Sequence, residues 1–240
     1  MRAIILAGGK GTRLLPYTIV MPKPMLPIDG IPIIEIISRQ LAYYGFNDVT
    51  VSLGHLSGVI KLFLESKKSE KGLPNFSYFS ESSPLGTSGP VKAISPMEED
   101  FLVINGDILT SMNFAELMQS HKDSGATLTI SARKTHYELP LGSLILDPEN
   151  FVTEFNEKPK FDFIDNIGVY IYSAKALKYI EKDEKIDVNI LTKKLIENGE
   201  KVYAFRNDGP YFWIDIGTHA DYAKANEDFA KIKDSFPFLD

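Results

Sequence analysis

The chain has 240 residues, 44% of them hydrophobic, 26 Lys and Arg against 32 Asp and Glu for a formal net charge of −6, and no cysteine. That length suits one large α/β domain or two small ones, and the missing cysteines remove disulfides, thiolate zinc sites, iron–sulfur clusters and a cysteine nucleophile together. The opening apolar run is too short for a signal peptide, no run of about 18 apolar residues could span a membrane, and a mildly acidic chain without a basic stripe suits no nucleic-acid backbone. The expectation is a cytoplasmic protein that inserts into no membrane, binds no nucleic acid and is compatible with homo-oligomerisation.

Strand-like and helix-like stretches alternate through the first half. Ala3–Ala7 reads as a buried strand ending at Gly8-Gly9. Ile33–Tyr44 carries apolar residues at 33, 34, 37, 41 and 44, a helical stripe closed by Gly45. Asp48–Leu53 predicts a strand, Ser57–Ser69 a helix, Phe76–Ser80 and Phe101–Asn105 strands, and Asn113 caps a helix that Gly125 stops. This alternation predicts a mainly parallel sheet with helices on both faces. Beyond Ala126 the pattern changes: Thr127–Arg133, Ser143–Leu146, Phe151–Asn156 and Ile167–Tyr172 are predicted strands separated by short turns. Helices over about 174–181 and 187–198, strands over Val202–Arg206 and Tyr211–Ile214, and a last helix from about 219 complete the chain. The prediction is one domain of two lobes, about 1–125 and 126–240, the second contributing antiparallel strands to the parallel sheet.

The segment Leu6-Ala7-Gly8-Gly9-Lys10-Gly11-Thr12-Arg13-Leu14 follows the first strand directly. Glycines there let backbone N–H groups crowd around an anion, because no Cβ blocks approach and positive φ is available. The spacing is neither a Walker A loop nor the dinucleotide fingerprint, whose third glycine would fall on Leu14. A glycine cluster alone is equally a tight strand-to-helix turn. Arg13 and the Lys23 of Pro22-Lys23-Pro24 shift the balance toward phosphate, since a lysine between two prolines is disfavoured in a helix interior and loses backbone freedom.

The stretch from Leu6 to Pro27, GGKGTRLLPYT followed by MPKPMLPI, resembles the signature of the sugar-1-phosphate nucleotidylyltransferases, also called nucleoside-diphosphate-sugar pyrophosphorylases. Matches continue in family order at Pro84-Leu85-Gly86-Thr87-Ser88-Gly89, Asn105-Gly106-Asp107, Glu157-Lys158-Pro159, Asn166-Ile167-Gly168-Val169-Tyr170 and Trp213-Ile214-Asp215-Ile216-Gly217. The resemblance implies a Rossmann-like mixed sheet with a smaller antiparallel sugar-binding lobe. It also implies transfer of a nucleotidyl group from a nucleoside triphosphate to a sugar 1-phosphate, with Mg²⁺. The stretch PLGTSGP resembles the mannose-1-phosphate and heptose-1-phosphate guanylyltransferases in particular. About 20 residues follow the WIDIG motif, leaving no room for the hexapeptide-repeat β-helix of some relatives.

Asp107 follows the strand FLVIN, where strand ends of open α/β sheets face the ligand crevice. Asp215 ends another apolar stretch, and each Asp is read as preceding a helix, so either alone could be a cap. Together, and matched to family motifs, they point to a shared Mg²⁺, which is held by one or two carboxylates plus substrate phosphates. By resemblance the nucleotide site comprises Leu6, Ala7, Gly8, Gly9, Gly11, Thr12, Arg13, Lys23, Glu81, Gly86, Thr87 and Asp107. Arg13 and the glycine loop take the β,γ-phosphates and Lys23 the α-phosphate. Lys158 is assigned the phosphate of the sugar, and preceding Pro159 biases it to extended backbone. Gly142, Glu157 and Asn166 are assigned the sugar, although Leu141 stands where the family has Tyr. Arg13, Lys23, Asp107, Lys158 and Asp215 form the catalytic set.

Glu81 lies near the family position that reads the base, and a carboxylate can accept from both adjacent donors of guanine. The reading therefore favours GTP and a mannose or manno-heptose 1-phosphate, in the supply of nucleotide sugars for polysaccharide or glycoprotein synthesis. The alternative is a dTTP- or UTP-dependent enzyme acting on glucose 1-phosphate. A nucleotide-sugar glycosyltransferase is disfavoured because no two Asp are separated by one residue. A non-catalytic nucleotide-sugar sensor would be expected to lack one of the five catalytic residues. The four histidines show no metal-ligand spacing, and Trp213 with its aromatic neighbours reads as core.

Overall fold

The segment Ala3-Ile4-Ile5-Leu6-Ala7 offers no polar side chain to water, and it lies inside a seven-stranded sheet with neighbours on both sides. The computed structural model describes residues 1–94, 97–206 and 209–239. In chain order the elements are β1 (Arg2–Ala7), β2 (Pro27–Ile28), β3 (Ile31–Pro32), α1 (Ile33–Tyr43), β4 (Asp48–Leu53), α2 (Ser57–Ser66), β5 (Asn75–Ser80), α3 (Gly89–Ala93), β6 (Phe101–Asn105) and β7 (Ile108–Thr110). There follow α4 (Phe114–Ser124), β8 (Leu128–Glu138), β9 (Ser143–Leu146), β10 (Val152–Asn156), β11 (Lys160–Tyr172), α5 (Val188–Glu197), β12 (Val202–Arg206), β13 (Trp213–Asp215) and α6 (His219–Ile232).

The main sheet runs β12-β8-β11-β6-β1-β4-β5. All its pairings are parallel except those of β11, which is antiparallel to both β6 and β8. Alternation along the strands divides the core. Ala3, Ile5, Leu102, Ile104, Val169 and Ile171 face one side, packed with residues of α1, α2, α4 and α6. Ile4, Val103, Tyr170 and Tyr172 face the other, with Val91 of α3 and Leu191 and Leu195 of α5. Helices thus cover both faces, as the alternating pattern requires. Each fully buried Ile or Leu contributes about 1.5–3 kcal/mol of transfer free energy. Asn113 caps α4 by accepting from the backbone N–H of Ala115 and Glu116, and Gly125 ends it in the left-handed conformation.

The later half departs from its predicted boundaries in instructive ways. β11 begins at Lys160 rather than Ile167, and β8 runs on to Glu138. From Lys160↔Glu138 to Asp165↔Arg133 these two strands pair only with each other among the described residues, β12 joining β8 at Ala132. That ribbon is largely exposed, so burial periodicity does not mark it. A register shift between Asn166 and Tyr170, with Gly168 at φ +80°, separates ribbon from core. The helix over 174–181 is a 3-10 segment, Ala174–Tyr179. β12 joins β8 in parallel, so the second half is not purely antiparallel. α2 stops at Ser66, and Lys67 turns back to pair with Glu35 at 3.0 Å. Among the described residues no helix is long and apolar enough to cross a membrane.

Glu200 fastens the β8 edge. Its carboxylate accepts from Thr127 Oγ1 and Tyr179 Oη, both at 2.6 Å, and pairs with Lys175 at 2.7 Å. Lys175 first, then the two hydroxyls, hold its pKa down to about 2 from an ordinary 4.5. Between those values the unfolded chain binds more protons than the folded one. The stabilisation is therefore complete above the ordinary value and is lost as pH falls toward 2. Glu200→Gln should melt below the wild type at pH 7, and thermal melts should show the gap closing as pH falls from 4.5 to about 2. A gap independent of pH would remove the charge from this account.

Candidate active site

The strand β1 ends against two other backbones and one carboxylate. Gly106 N–H donates to Leu6 O at 2.9 Å, and a Cβ on Gly106 would lie 2.9 Å from that same oxygen. A Cβ on Gly54, past β4, would lie 2.4 Å from Gly8 O, and one on Gly8 would lie 2.6 Å from Glu81 Oε1. The absence of side chains at these positions lets the ends of β1, β4 and β6 converge. Gly11, at φ +63°, starts a 3-10 turn over Thr12–Leu14 that buried Leu14 anchors. Gly11 also packs against Thr18 and the Lys23 side chain, so the glycine loop carries the lysine with it.

Lys23 is where the site closes. Pro22 leads into a 3-10 turn whose first residue is Lys23, and its ammonium donates to Asp107 Oδ2 and lies 3.7 Å from Asp215 Oδ1. Antiparallel pairing of β7 with β13, Asp215 opposite Ile108, brings the two aspartates together, and Ile216 N–H donates to Asp107 O at 3.1 Å. The element after Asp107 is therefore the strand β7, not the expected helix. This is the pairing that builds the site. Arg13 lies over Gly217, its guanidinium nitrogens 3.3 to 3.4 Å from where a Cβ would stand.

Two cavities flank the carboxylates. The smaller, about 300 Å³, is lined by Leu6, Gly8, Gly9, Glu81, Gly86, Thr87 and Asp107 among the expected residues. The larger, about 920 Å³, takes in Arg13, Asn166 and Asp215. Ala7 is buried at the end of β1, and Thr12 is exposed in the 3-10 turn. Glu81 is already engaged: Ser52 Oγ donates to Oε1 at 2.8 Å and the Leu85 N–H to Oε2 at 3.1 Å. Gly86, at φ +78°, comes so close to Ile186 that a Cβ would be 2.6 Å from its carbonyl oxygen. Thr87 N–H donates to Asp187 Oδ1, and Thr87 Oγ1 accepts from Val188 N–H.

The remaining expected residues lie apart. Gly142 and Glu157 meet on the β9–β10 hairpin, where a Cβ on Gly142 would be 3.2 Å from Glu157 Oε2. Neither they nor exposed Lys158 line either cavity. Lys158 is not extended but left-handed at φ +44°. Pro159 removes the right-handed option, and the chain bends here between β10 and β11. Asn166 spends both ends of its amide within the bulge: Nδ2 donates to Tyr170 Oη at 2.9 Å and Oδ1 accepts from Gly168 N–H at 3.0 Å. Trp213 is only partly buried: it packs against the main core, as Tyr211 and Phe212 do, and also lines the larger cavity. Sequence reasoning missed Asn105 and Asp187, both lining the smaller cavity. Asn105 stands in the same Asn-Gly-Asp triplet as Asp107, whereas Asp187 carries only the signal of a helix N-cap.

A divalent cation fits the donor set. Asp215 Oδ1 is shut off from solvent with no hydrogen-bond partner. Burial first, and then the Asp107 charge, push this carboxyl above its ordinary range, against the pull of Lys23 and Arg13. Two hard oxygen donors with one left unsatisfied suit Mg²⁺ completed by phosphate oxygens and water. No group of three or more His, Cys, Asp and Glu side chains that could hold a metal occurs among the described residues.

The glycine loop and paired aspartates lie at strand ends of an open α/β sheet, where sheets of this class receive their ligands. The chain belongs to the nucleotidyl transferase family, whose profile matches residues 2–232. It is 31% identical over 245 residues to a UTP–glucose-1-phosphate uridylyltransferase of Synechocystis, covering 94% of this chain and 62% of that protein. It is 32% identical over 231 residues to a mannose-1-phosphate guanyltransferase of Saccharomyces cerevisiae, covering 92% and 63%. The chain thus spans about three-fifths of the length of these curated relatives. The structure of HddC from Yersinia pseudotuberculosis, solved also in complex with GMP-PN, superposes with a TM-score of 0.69 at 29% identity, over 95% of this chain and 99% of that one.

The glycine contacts can be tested by stability. Gly54→Ala places a methyl 2.4 Å from Gly8 O and should cost about 1–3 kcal/mol. Gly58→Ala, in α2 with nothing within 4 Å, should be neutral or stabilising by at most about 1 kcal/mol. Denaturant titrations giving the two equal effects would show that the close approach does not constrain the loop.

Proposed function

We propose that the chain transfers a nucleotidyl group from a nucleoside triphosphate, GTP by preference, to a mannose or manno-heptose 1-phosphate, releasing pyrophosphate. The observation that carries this reading is the position of the Lys23–Asp107–Asp215 cluster between two cavities. One is rimmed by the glycine loop and Glu81, and the other by Arg13 and Asn166. A triphosphate in the first would present its α-phosphorus to an acceptor in the second.

In the reaction an oxygen of the sugar phosphate bonds to the α-phosphorus, the bond from that phosphorus to the β-bridging oxygen breaks, and pyrophosphate carries the electron pair away. The nucleophile is ionised at neutral pH, so no general base is needed. The barrier is largely that of bringing anions together in line. The glycine loop supplies backbone N–H groups for the β,γ-phosphates, and Arg13, on the side of the larger cavity, would reach them with its guanidinium across the cluster. Lys23 sits where the transferring phosphate would arrive, already desolvated to 11% exposure. Asp107 and Asp215 would hold Mg²⁺, which when bound screens phosphate charge. Lys158 would have to approach from the hairpin to meet the sugar phosphate.

A second reading, UTP or dTTP with glucose 1-phosphate, is favoured by one observation. Each Glu81 oxygen already accepts a protein hydrogen bond, leaving less capacity for the two donors of guanine than for the one of uracil.

Pyrophosphate release should be measured with GTP, dTTP, UTP, CTP and ATP against mannose, glucose, N-acetylglucosamine and manno-heptose 1-phosphates. One strong Mg²⁺-dependent combination is expected, and no release in any would defeat the proposal. Asp107→Asn and Asp215→Asn should each lower turnover by roughly 10² or more while the fold, read by circular dichroism, persists. Full activity in either removes that residue from the metal site. Glu81→Gln should change the ratio of kcat/KM between GTP and UTP, and an unchanged ratio counts against base reading by this carboxylate.

A further inference from the structure

We infer that Arg133 and Asp165 determine sugar specificity by gripping neighbouring hydroxyls of the ring at the end remote from its 1-phosphate, an inference that rests on the function proposed above. Arg133 leaves the β8 ribbon with its guanidinium carbon 4.1 Å from the centroid of the Trp213 ring. It forms no ion pair among the described residues, and its buried Nε has no hydrogen-bond partner. Asp165 is its directly opposed residue on β11, so both side chains leave the same face of the ribbon. Tyr137 Oη donates to Asp165 Oδ2 at 3.1 Å and fixes that carboxylate. A guanidinium serving only the ribbon would be expected to pair with the acid opposite it. Here it lies on the indole instead, which restricts its rotamers without using its donors.

The position relative to the reacting end follows from strand geometry. Trp213 and Asp215 alternate on β13, so they share a face about 7 Å apart, and both line the larger cavity with Arg133, Tyr137 and Asp165. That separation is comparable to the length of a hexopyranose from its C1 oxygen to its C4 oxygen. A sugar whose phosphate lies at Asp215 therefore extends its far hydroxyls to the ribbon. Arginine only donates and a carboxylate only accepts. A vicinal diol, each hydroxyl both donor and acceptor, satisfies the two together. A ring lacking those hydroxyls leaves the charged pair unsatisfied, and such sites discriminate strongly.

Trp213 is the chain's single tryptophan, so its fluorescence reports this cavity independently of turnover. Mannose, glucose and manno-heptose 1-phosphates should be titrated into the wild type, Arg133→Met, Arg133→Lys and Asp165→Asn, with pyrophosphate release read on the same samples. Inorganic phosphate serves as a control. At least one sugar phosphate should give a saturable change in the wild type. Its midpoint and its KM should rise about tenfold or more in Arg133→Met and Asp165→Asn, with the KM for the triphosphate unchanged. Arg133→Lys, which keeps charge and loses the planar fork, should recover only part of the loss and guards against misfolding of the Met variant. Equal midpoints in wild type and variants, turnover without any fluorescence change, or an equal response to inorganic phosphate would each overturn the inference. Saturable fluorescence without pyrophosphate release would sustain this subsite and overturn the proposed function. Silence in both would overturn both.

Discussion

The arrangement depends on one ammonium group between two carboxylates. Lys23 comes from the segment after the glycine loop, Asp107 from the turn after β6, and Asp215 from the end of β13. Without a cation at their junction the aspartates repel each other, and that repulsion adds to burial, the larger cause, in raising the proton affinity of Asp215. Lys23 offsets part of it and leaves the cluster with one formal negative charge. On the proposed function a divalent cation held there would reverse that sign, and the place would attract phosphate rather than repel it. The same side chains would then serve stability without ligands and electrostatics with them.

Around that cluster, proximity is achieved by backbone more than by side chains. Gly8 meets Gly54, Gly106 meets Leu6, Gly86 meets Ile186, and Gly89 approaches the Glu184 carbonyl. In each case a β-carbon would collide. Several segments distant in sequence are thereby brought within a few ångströms of the strand ends. The ribbon side works differently: Arg133 on Trp213 and Tyr137 on Asp165 place charge through side-chain contacts. The two cavities have different walls because their proposed ligands differ, a chain of phosphates in one and a ring of hydroxyls in the other.

Legibility in the sequence followed burial. β1, β4 and β6 lie deep in the parallel sheet, and their apolar runs predicted them within a residue. Asn113 and Gly125 marked both ends of α4 because caps are local chemistry. Lys160–Asn166 was not legible as strand, since its side chains face water and its partner is the outer part of β8. The glycine loop, Lys23 and Asp107 could be read because their chemistry is written in adjacent residues. Asp187 could not, because it reaches the smaller cavity only through the packing of Gly86 and Thr87 on the start of α5. The cavity-facing side of Trp213 was not legible, because an aromatic in an apolar run shows only its packing against the core until the arginine on its face is seen. The backbone of Lys158 was misread because a proline restricts its predecessor away from right-handed helix, which leaves the left-handed region open as well as the extended one.

The pairing of β7 with β13 joins Thr110 to Trp213 across most of the chain's later half. Contacts of such separation form late in folding, because a long loop must close before they are rewarded. During synthesis, the glycine loop, Lys23 and Asp107 have all left the ribosome long before Asp215 exists. The glycine loop, Lys23 and Asp107 can be laid down on the parallel strands, while Asp215 arrives with β13. A nascent chain short of that strand has Lys23 and Asp107 without Asp215, so the three-residue cluster is assembled only once β13 has been made.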